Sequence, residues 1–333
     1  MKKITKVGLS ALAGALAISS ANAGEVSISG AMEITYITGS GYQDTGNGFG
    51  QDNEFTITAS TELDNGTSVA YKRTVNESFA GNDSELSFGT TFGTIAMTSA
   101  GSPISAIDDK TPTAFEEANA QVGSIDDVNG MDGTFGVRYT LADVMGSGMS
   151  LDAMWSPVHG TGDTHGDQGS SVAHGNGDAV EVTLTGSVPM VEGLSLGIGY
   201  ANLEEIRDYT GTVGASTDDQ DEGTGYVTYA YGPFTAGYQV SAVSVGTSNT
   251  LYKTEYIGLS YSVSDNLSVS YNTIESDRTA QDGLVTEQEF DSFSVGYSMG
   301  GMTLSLSQDS ADNSDYVQNQ DEKETLVAVS MAF

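Results

Sequence analysis

The chain has 333 residues, with 45 acidic and 11 basic side chains and a net charge of -34. That excess of acid excludes nucleic acid as a partner, because affinity for nucleic acid comes from cationic contacts with phosphate. The absence of cysteine excludes a disulfide scaffold and thiolate metal sites, and 42 Gly, 16 Tyr and 5 Pro suit strands and turns better than helices.

The first residues read as an export address. Lys2, Lys3 and Lys6 give a positive start, Val7 to Ile18 is apolar apart from Ser10, and Ala21-Asn22-Ala23 has the small-x-small form that a signal peptidase cuts after. Cleavage between Ala23 and Gly24 leaves a barrel-forming segment 24–333, in which 8 basic residues face all 45 acids. The apolar run is too short for a bilayer-spanning helix, which needs about 20 residues. No later window is long and apolar enough either. A membrane protein of this kind must therefore cross as a closed barrel, since only helices and closed barrels satisfy their backbone polar groups in lipid.

Alternation sets the fold class. A strand with one apolar face repeats apolar side chains at i, i+2 and i+4. Val26, Ile28, Met32, Ile34 and Tyr36 share one parity, and Ser27, Ser29, Glu33 and Thr35 the other. The same form predicts 16 strands, at 25–38, 51–63, 67–77, 84–91, 93–100, 132–141, 148–156, 179–190, 193–201, 223–231, 233–242, 252–263, 266–275, 289–299, 301–309 and 323–333. Tight turns such as Asp64-Asn65-Gly66, Ser264-Asp265-Asn266 and Gly300-Gly301 alternate with long polar loops at 39–50, 101–131, 157–178, 202–222, 276–288 and 310–322. An outer-membrane barrel shows this asymmetry, with short turns on one rim and long loops on the other. A β-sandwich also alternates, but 16 strands rarely stay in one sandwich. A calcium-binding solenoid would need a fixed glycine-rich period that is absent. The predicted fold is an all-β, 16-stranded, transmembrane antiparallel β-barrel.

The last strand carries Val327, Val329, Met331 and Phe333 on one face. Val329, Met331 and the terminal Phe333 resemble the signal read by the barrel-assembly machinery. Phe333 is equally placed to be a member of an aromatic girdle, as are Tyr36, Tyr200, Tyr231 and Tyr297.

The start Glu25-Val26-Ser27-Ile28-Ser29-Gly30, the strand after Asp52, and Gly93-Thr94-Ile95-Ala96-Met97 followed by a long acidic loop resemble the Rhodobacter-type general porins. These belong to the Gram-negative porin superfamily. The resemblance covers essentially the whole chain after residue 23, and its strength lies in the order and spacing of short motifs. It implies a homotrimer in outer-membrane lipid and one long loop, 101–131, folded into the barrel to narrow the pore. It also implies an ion pair between the amino group of Gly24 and the carboxylate of Phe333, and a transverse field between an acidic loop and a basic wall.

The loop 101–131 carries Asp108, Asp109, Glu116, Glu117, Asp126 and Asp127 against Lys110. Strand parity points Glu33, Glu62, Lys72, Arg138 and Glu181 into the lumen. Arg73 takes lipid parity and needs an interfacial position, because Arg at the bilayer midplane costs about 2–4 kcal/mol. Arg207 and Arg278 fall in loops, and Lys253 and Lys323 near strand tops, so the basic wall is thin. A carboxylate-rich lumen favours cations.

His159, His165 and His174, with Asp163, Asp167 and Asp178, offer donors for a transition metal, but their irregular spacing and Gly-rich setting favour a plain solvated loop. The acidic stretches 218–222 and 309–315 could bind Ca²⁺ through carboxylates, but match no helix-loop-helix calcium motif. No nucleophile sits beside a base, so no catalytic residue and no cofactor is assigned. The function expected is passive, cation-preferring diffusion of small hydrophilic solutes. A substrate-specific channel and a surface adhesin built on the long loops are the alternatives.

Overall fold

The computed structural model describes residues 25–41, 48–76, 81–118, 122–159, 176–205, 219–246 and 248–333. The expected cleavage site at Ala23 and Gly24, and with it the expected terminal ion pair, lies outside these residues. Sixteen strands form one closed antiparallel barrel in which each pairs with its chain neighbours and the first pairs with the last. They are β1 (Glu25–Gly41), β2 (Gly48–Glu62), β3 (Ser68–Asn76), β4 (Gly81–Thr90), β5 (Gly93–Thr98), β6 (Gly136–Leu141), β7 (Met149–Ser156) and β8 (Asn176–Ser187). The second half comprises β9 (Leu194–Glu205), β10 (Gln220–Tyr231), β11 (Phe234–Val245), β12 (Thr250–Ser262), β13 (Leu267–Thr279), β14 (Val285–Met299), β15 (Met302–Asp312) and β16 (Glu322–Ala332).

All sixteen predicted strands are present, and the differences lie at their ends. On the long-loop side several ladders run further than the side-chain pattern. β9 continues to Glu205, β13 to Thr279 and β15 to Asp312, and β14 begins at Val285. Backbone pairing there outlasts the apolar band, because the outer face no longer meets hydrocarbon and alternation is no longer required. The opposite occurs at β6. Residues 132–135 leave the ladder, with the Thr134 N–H turned onto the Met131 carbonyl.

Closure rests on β1 and β16, paired from Ala31↔Ala332 to Gly41↔Glu322. The ladder ends on two reciprocal bonds. The Gly30 N–H donates to the Phe333 carbonyl at 2.8 Å, and the Phe333 N–H donates to the Gly30 carbonyl at 2.9 Å. The Phe333 ring covers Gly30, where a Cβ would lie 2.7 Å from the ring edge, and stacks edge-on against Phe55 with centroids 5.7 Å apart. A glycine is therefore required at this approach.

The outer wall carries the apolar parity: Ile28, Ile34, Ile57, Ile198, Ile257, Leu259, Leu304, Val329 and Met331 are all exposed. Three outward tyrosines repeat one arrangement on alternate strands. Tyr200 donates to Asp221 at 2.5 Å, Tyr238 to Glu255 at 2.9 Å and Tyr271 to Asp291 at 2.5 Å. Each phenol is rooted in the apolar band with its hydroxyl on an acid beyond it, which marks one boundary of the band. Phe234 and Tyr261, with centroids 4.7 Å apart, and exposed Tyr231 and Tyr297 mark the other. The closure predicts that Phe333→Ala lowers the temperature at which the folded barrel unfolds, read as the shift from fast to slow migration on a semi-native gel.

Candidate functional site: a loop seated on the inner wall

Among the described residues the hydrophobic clusters lie inside the barrel, between the wall and residues 99–118 and 122–135. Ile104, Val128 and Met131 pack on Met154, Ala179, Ala201, Leu203 and Val243. Phe115 packs on Leu326 and Ala328 of β16, with Ile37 alongside. Val122 packs on Phe290 and Ala311, with Ile125 and Ile274 alongside. The segment therefore runs out along the inner wall from β8 to β16 and returns. Each fully buried aliphatic side chain contributes about 1.5–3 kcal/mol to holding it there.

Polar side chains of the wall hold the same path. On the outward arm, Gln239 accepts from the Lys110 N–H at 2.7 Å and donates to the carbonyls of Ile107 and Asp108. Asn272 donates to the Pro112 carbonyl at 3.0 Å, and Ser270 accepts from the Ala114 N–H at 2.8 Å. On the return, Gln288 donates to the Ser124 carbonyl at 2.8 Å, and Asp315 accepts from the Ser124 N–H and hydroxyl. Tyr256 donates to Asp127. Glu222 accepts from the N–H groups of Asn129 and Gly130, and Glu181 from Ser102, Ile104 and Met131. Gly237 and Gly258 leave room for Pro112, whose Cδ would otherwise lie 2.5 Å and 3.0 Å from a Cβ.

The expected site residues divide into two groups. Asp109, Glu116 and Glu117 are exposed to the lumen, and Asp108 and Asp127 are half-buried. A cavity of about 400 Å³ between the two arms is lined by Asp108, Asp109, Glu116, Asp127 and Tyr256. Asp126 is exposed beside Tyr252. Lys72 and Arg138 point inward as parity predicts, and Glu62 lies at the end of β2 on the short-turn rim. Glu33 and Glu181 also take inward parity but are buried, at 7% and 0% exposure, so neither presents an open carboxylate to passing ions. Parity locates the face of the wall; it does not register that a loop covers it.

The basic groups are largely compensated. The Arg138 guanidinium lies 3.0 Å from Asp152, and Lys72 sits opposite Glu85 in register. Lys110 lies 3.5 Å from Asp109. Arg278 lies in β13 rather than in a loop, with inward parity against Tyr252. Lys253 is outward and paired with Glu255 at 2.5 Å. Arg207 falls outside the described residues. Arg73 keeps outward parity, level with Ile57.

The two stretches weighed for metal binding are only partly among the described residues. His159 is buried with Nε2 at 2.9 Å from the Glu204 carbonyl, while His165, His174, Asp163 and Asp167 fall outside the described residues. Asp218 also falls outside them, and Asp315 holds Ser124. Among the described residues no group of three or more His, Cys, Asp or Glu side chains is arranged to hold a metal ion. Sequence reasoning missed Gln239, Asn272 and Gln288, and took Glu222 only as part of the acidic stretch 218–222. Their signal was available as long polar side chains at lumen parity, where Ser, Thr and Gly otherwise prevail.

A barrel of sixteen strands with a long segment folded inside it is a channel architecture. The family model described as Gram-negative porin matches residues 8–333. The chain belongs to the Gram-negative porin family. Porins of this family are passive diffusion channels of the outer membrane and not enzymes. No curated protein sequence matches the chain. Among solved structures it is similar to the anion-selective porin from Comamonas acidovorans, with a TM-score of 0.68 and 13% identity over 92% of this chain and 99% of that one. It is similar to OmpT of Vibrio cholerae, with a TM-score of 0.67 and 12% identity over 94% and 99%. OmpT in its trimer form gives 0.65 and 11% over 94% and 100%.

Loop carboxylates in this porin hold their protons unusually well. Burial, then Asp109 and Asp127, push Asp108 up to about 7 against the opposing pull of Lys110. Burial pushes Asp127 up to about 6, although the hydrogen bond from the Val128 N–H opposes it. Glu117 is open to the lumen, but desolvation by the surrounding protein, then Glu116 and Asp52, raise it. A raised carboxyl is neutral below its pKa, so these groups lose charge before ordinary carboxylates, which titrate near ~4. Reversal potentials measured across a pH series are expected to show the ratio of K⁺ to Cl⁻ permeability falling from pH 8 to pH 5, well above that ordinary range.

Proposed function

We propose that this chain is a general diffusion porin of the Rhodobacter type that admits small hydrophilic solutes and prefers cations, with residues 101–131 narrowing the pore. The charge balance of the lumen carries this reading. Asp109, Glu116 and Glu117 on the loop lie exposed, and Asp52 on β2 is close enough to Glu117 to raise its pKa. Arg138 spends its charge on Asp152, and Lys110 leans on Asp109. The net field therefore attracts cations and repels anions. The anion preference named for the Comamonas porin belongs to that protein; at 13% identity the likeness carries the fold alone.

Reversal potentials in a KCl gradient across planar bilayers are expected to give K⁺ the higher permeability. The excess shrinks at 1 M salt, where the screening length falls to about 3 Å. Glu117→Gln reduces it. A preference for Cl⁻ in the unmodified protein overturns the reading. Swelling of protein-loaded liposomes separates it from a substrate-specific channel. Broad size-dependent permeation supports the porin, saturation by one solute supports a specific channel, and no permeation supports the adhesin.

The same reading includes a homotrimer, export with removal of residues 1–23 and use of Val329, Met331 and Phe333 by the assembly machinery. Two observations support the trimer. The similar OmpT has a trimer form. β5 and β6 have six residues each, which at about 3.4 Å per residue and ~45° tilt gives roughly 14 Å of wall. That is short of the apolar band of about 25 Å typical of such barrels. β3, on the far side of β4 from β5, carries Arg73 on its outward face. A short wall at β5 and β6 with an outward cation two strands away suits contact with another copy better than contact with lipid. Chemical cross-linking of the protein purified in mild detergent is expected to yield a trimer, and a strict monomer overturns this part.

A further inference from the structure

We propose that Glu181 and Glu222, two buried inward carboxylates on β8 and β10 that flank Ala201 of β9, are the positioning residues that set the aperture. Glu181 ties the two ends of the loop together, and Glu222 holds the return end beside it. The inference rests on the porin reading, and it assigns to these side chains a role distinct from attracting ions.

Glu181 sits on β8 and accepts from both ends of the segment. One carboxylate oxygen takes the Ser102 hydroxyl at 2.6 Å and the Ile104 N–H at 3.2 Å, where the outward arm leaves the wall. The other takes the Met131 N–H, where the return arm rejoins it. Glu222 on β10 takes the N–H groups of Asn129 at 2.8 Å and Gly130 at 2.7 Å. Glu181 thus closes a span of about thirty residues at its base and Glu222 fixes the return end, through hydrogen bonds to charged acceptors, which are stronger than neutral ones. Both side chains are buried, at 0% and 2% exposure, so passing ions do not meet them directly. Their negative charge is matched by backbone and hydroxyl donors, as a buried charge requires.

Gly130 completes the clamp. Its backbone adopts φ +53°, a region glycine enters without strain. A Cβ there would collide with the Glu181 carboxylate and with Ile104. An alanine at this position therefore pushes the return arm off both carboxylates without changing any charge. The downstream bonds from Gln239, Asn272 and Gln288 follow the path that the clamp starts.

Glu181→Gln and Gly130→Ala separate the geometric role from an electrostatic one. An amide at 181 must turn N–H groups toward a site that presents donors, so the clamp opens there too. In the folded, membrane-inserted protein both variants are expected to raise single-channel conductance roughly twofold, as when a narrowing that dominates pore resistance is relieved. Both also add open-channel noise and let larger sugars swell liposomes. Heat-dependent gel migration confirms that the barrel itself has folded. If Gly130→Ala does not fold, Ser102→Ala removes one donor with a smaller perturbation and the same expected direction. Unchanged or lower conductance in the folded variants overturns the proposal. So does a change in ion selectivity confined to Glu181→Gln, which would make the carboxylate an electrostatic element. Failure of the unmodified protein to pass sugars by size would instead overturn the porin reading.

Discussion

A peptide group surrounded by hydrocarbon has no water to bond to, and each unpaired N–H or carbonyl there costs several kcal/mol, roughly 2–7 by transfer data. The rest of this structure depends on that constraint. It forces the sheet to close on itself, so the first strand must find the last across the length of the chain. The reciprocal bonds of Gly30 and Phe333 finish the β1–β16 ladder, and the Phe333 ring seals the seam against Phe55. With every strand paired on both sides, the outer face is free to be apolar and the inner face free to be polar.

Closure creates a second problem. A barrel of this size encloses a space that its inward Ser, Thr and Gly side chains do not fill. The segment 99–135 occupies part of it, and the only buried hydrophobic clusters among the described residues form where that segment meets the wall. The seat is specific in shape and in chemistry. Small residues lie under Pro112, amides and hydroxyls meet the backbone groups of both arms, and two buried carboxylates gather its ends. Acids left exposed along it face the remaining lumen, where Lys110 and Arg138 are already paired with acids. Fold, seat and charge bias are therefore linked steps, and each presupposes the one before.

The strand count, the outward face and the order of turns and loops were legible in the sequence because they are local. A two-residue period needs no knowledge of what lies across the barrel, and lipid enforces it strand by strand. Strand ends were less legible. At β9, β13 and β15 the ladder outruns the pattern, since above the lipid the backbone still pairs but the outer side chains are no longer constrained. Inward residues were legible only as to face. Lys72 and Arg138 point where parity sends them, but Glu33 and Glu181 do so and are then covered.

What the sequence determined by itself is the barrel, its polarity between short turns and long loops, and a chain in which acid far outweighs base. The tertiary structure alone decided which polar side chains serve the pore and which serve the loop. Glu181 and Glu117 are both glutamates at positions assigned to the lumen, yet one is a buried acceptor and the other lies open. The difference is not local. Glu181 is buried because Ser102, Ile104 and Met131, between 50 and 79 residues away in the chain, bring their donors to it. No periodicity within a strand encodes where a loop from another part of the barrel comes to rest.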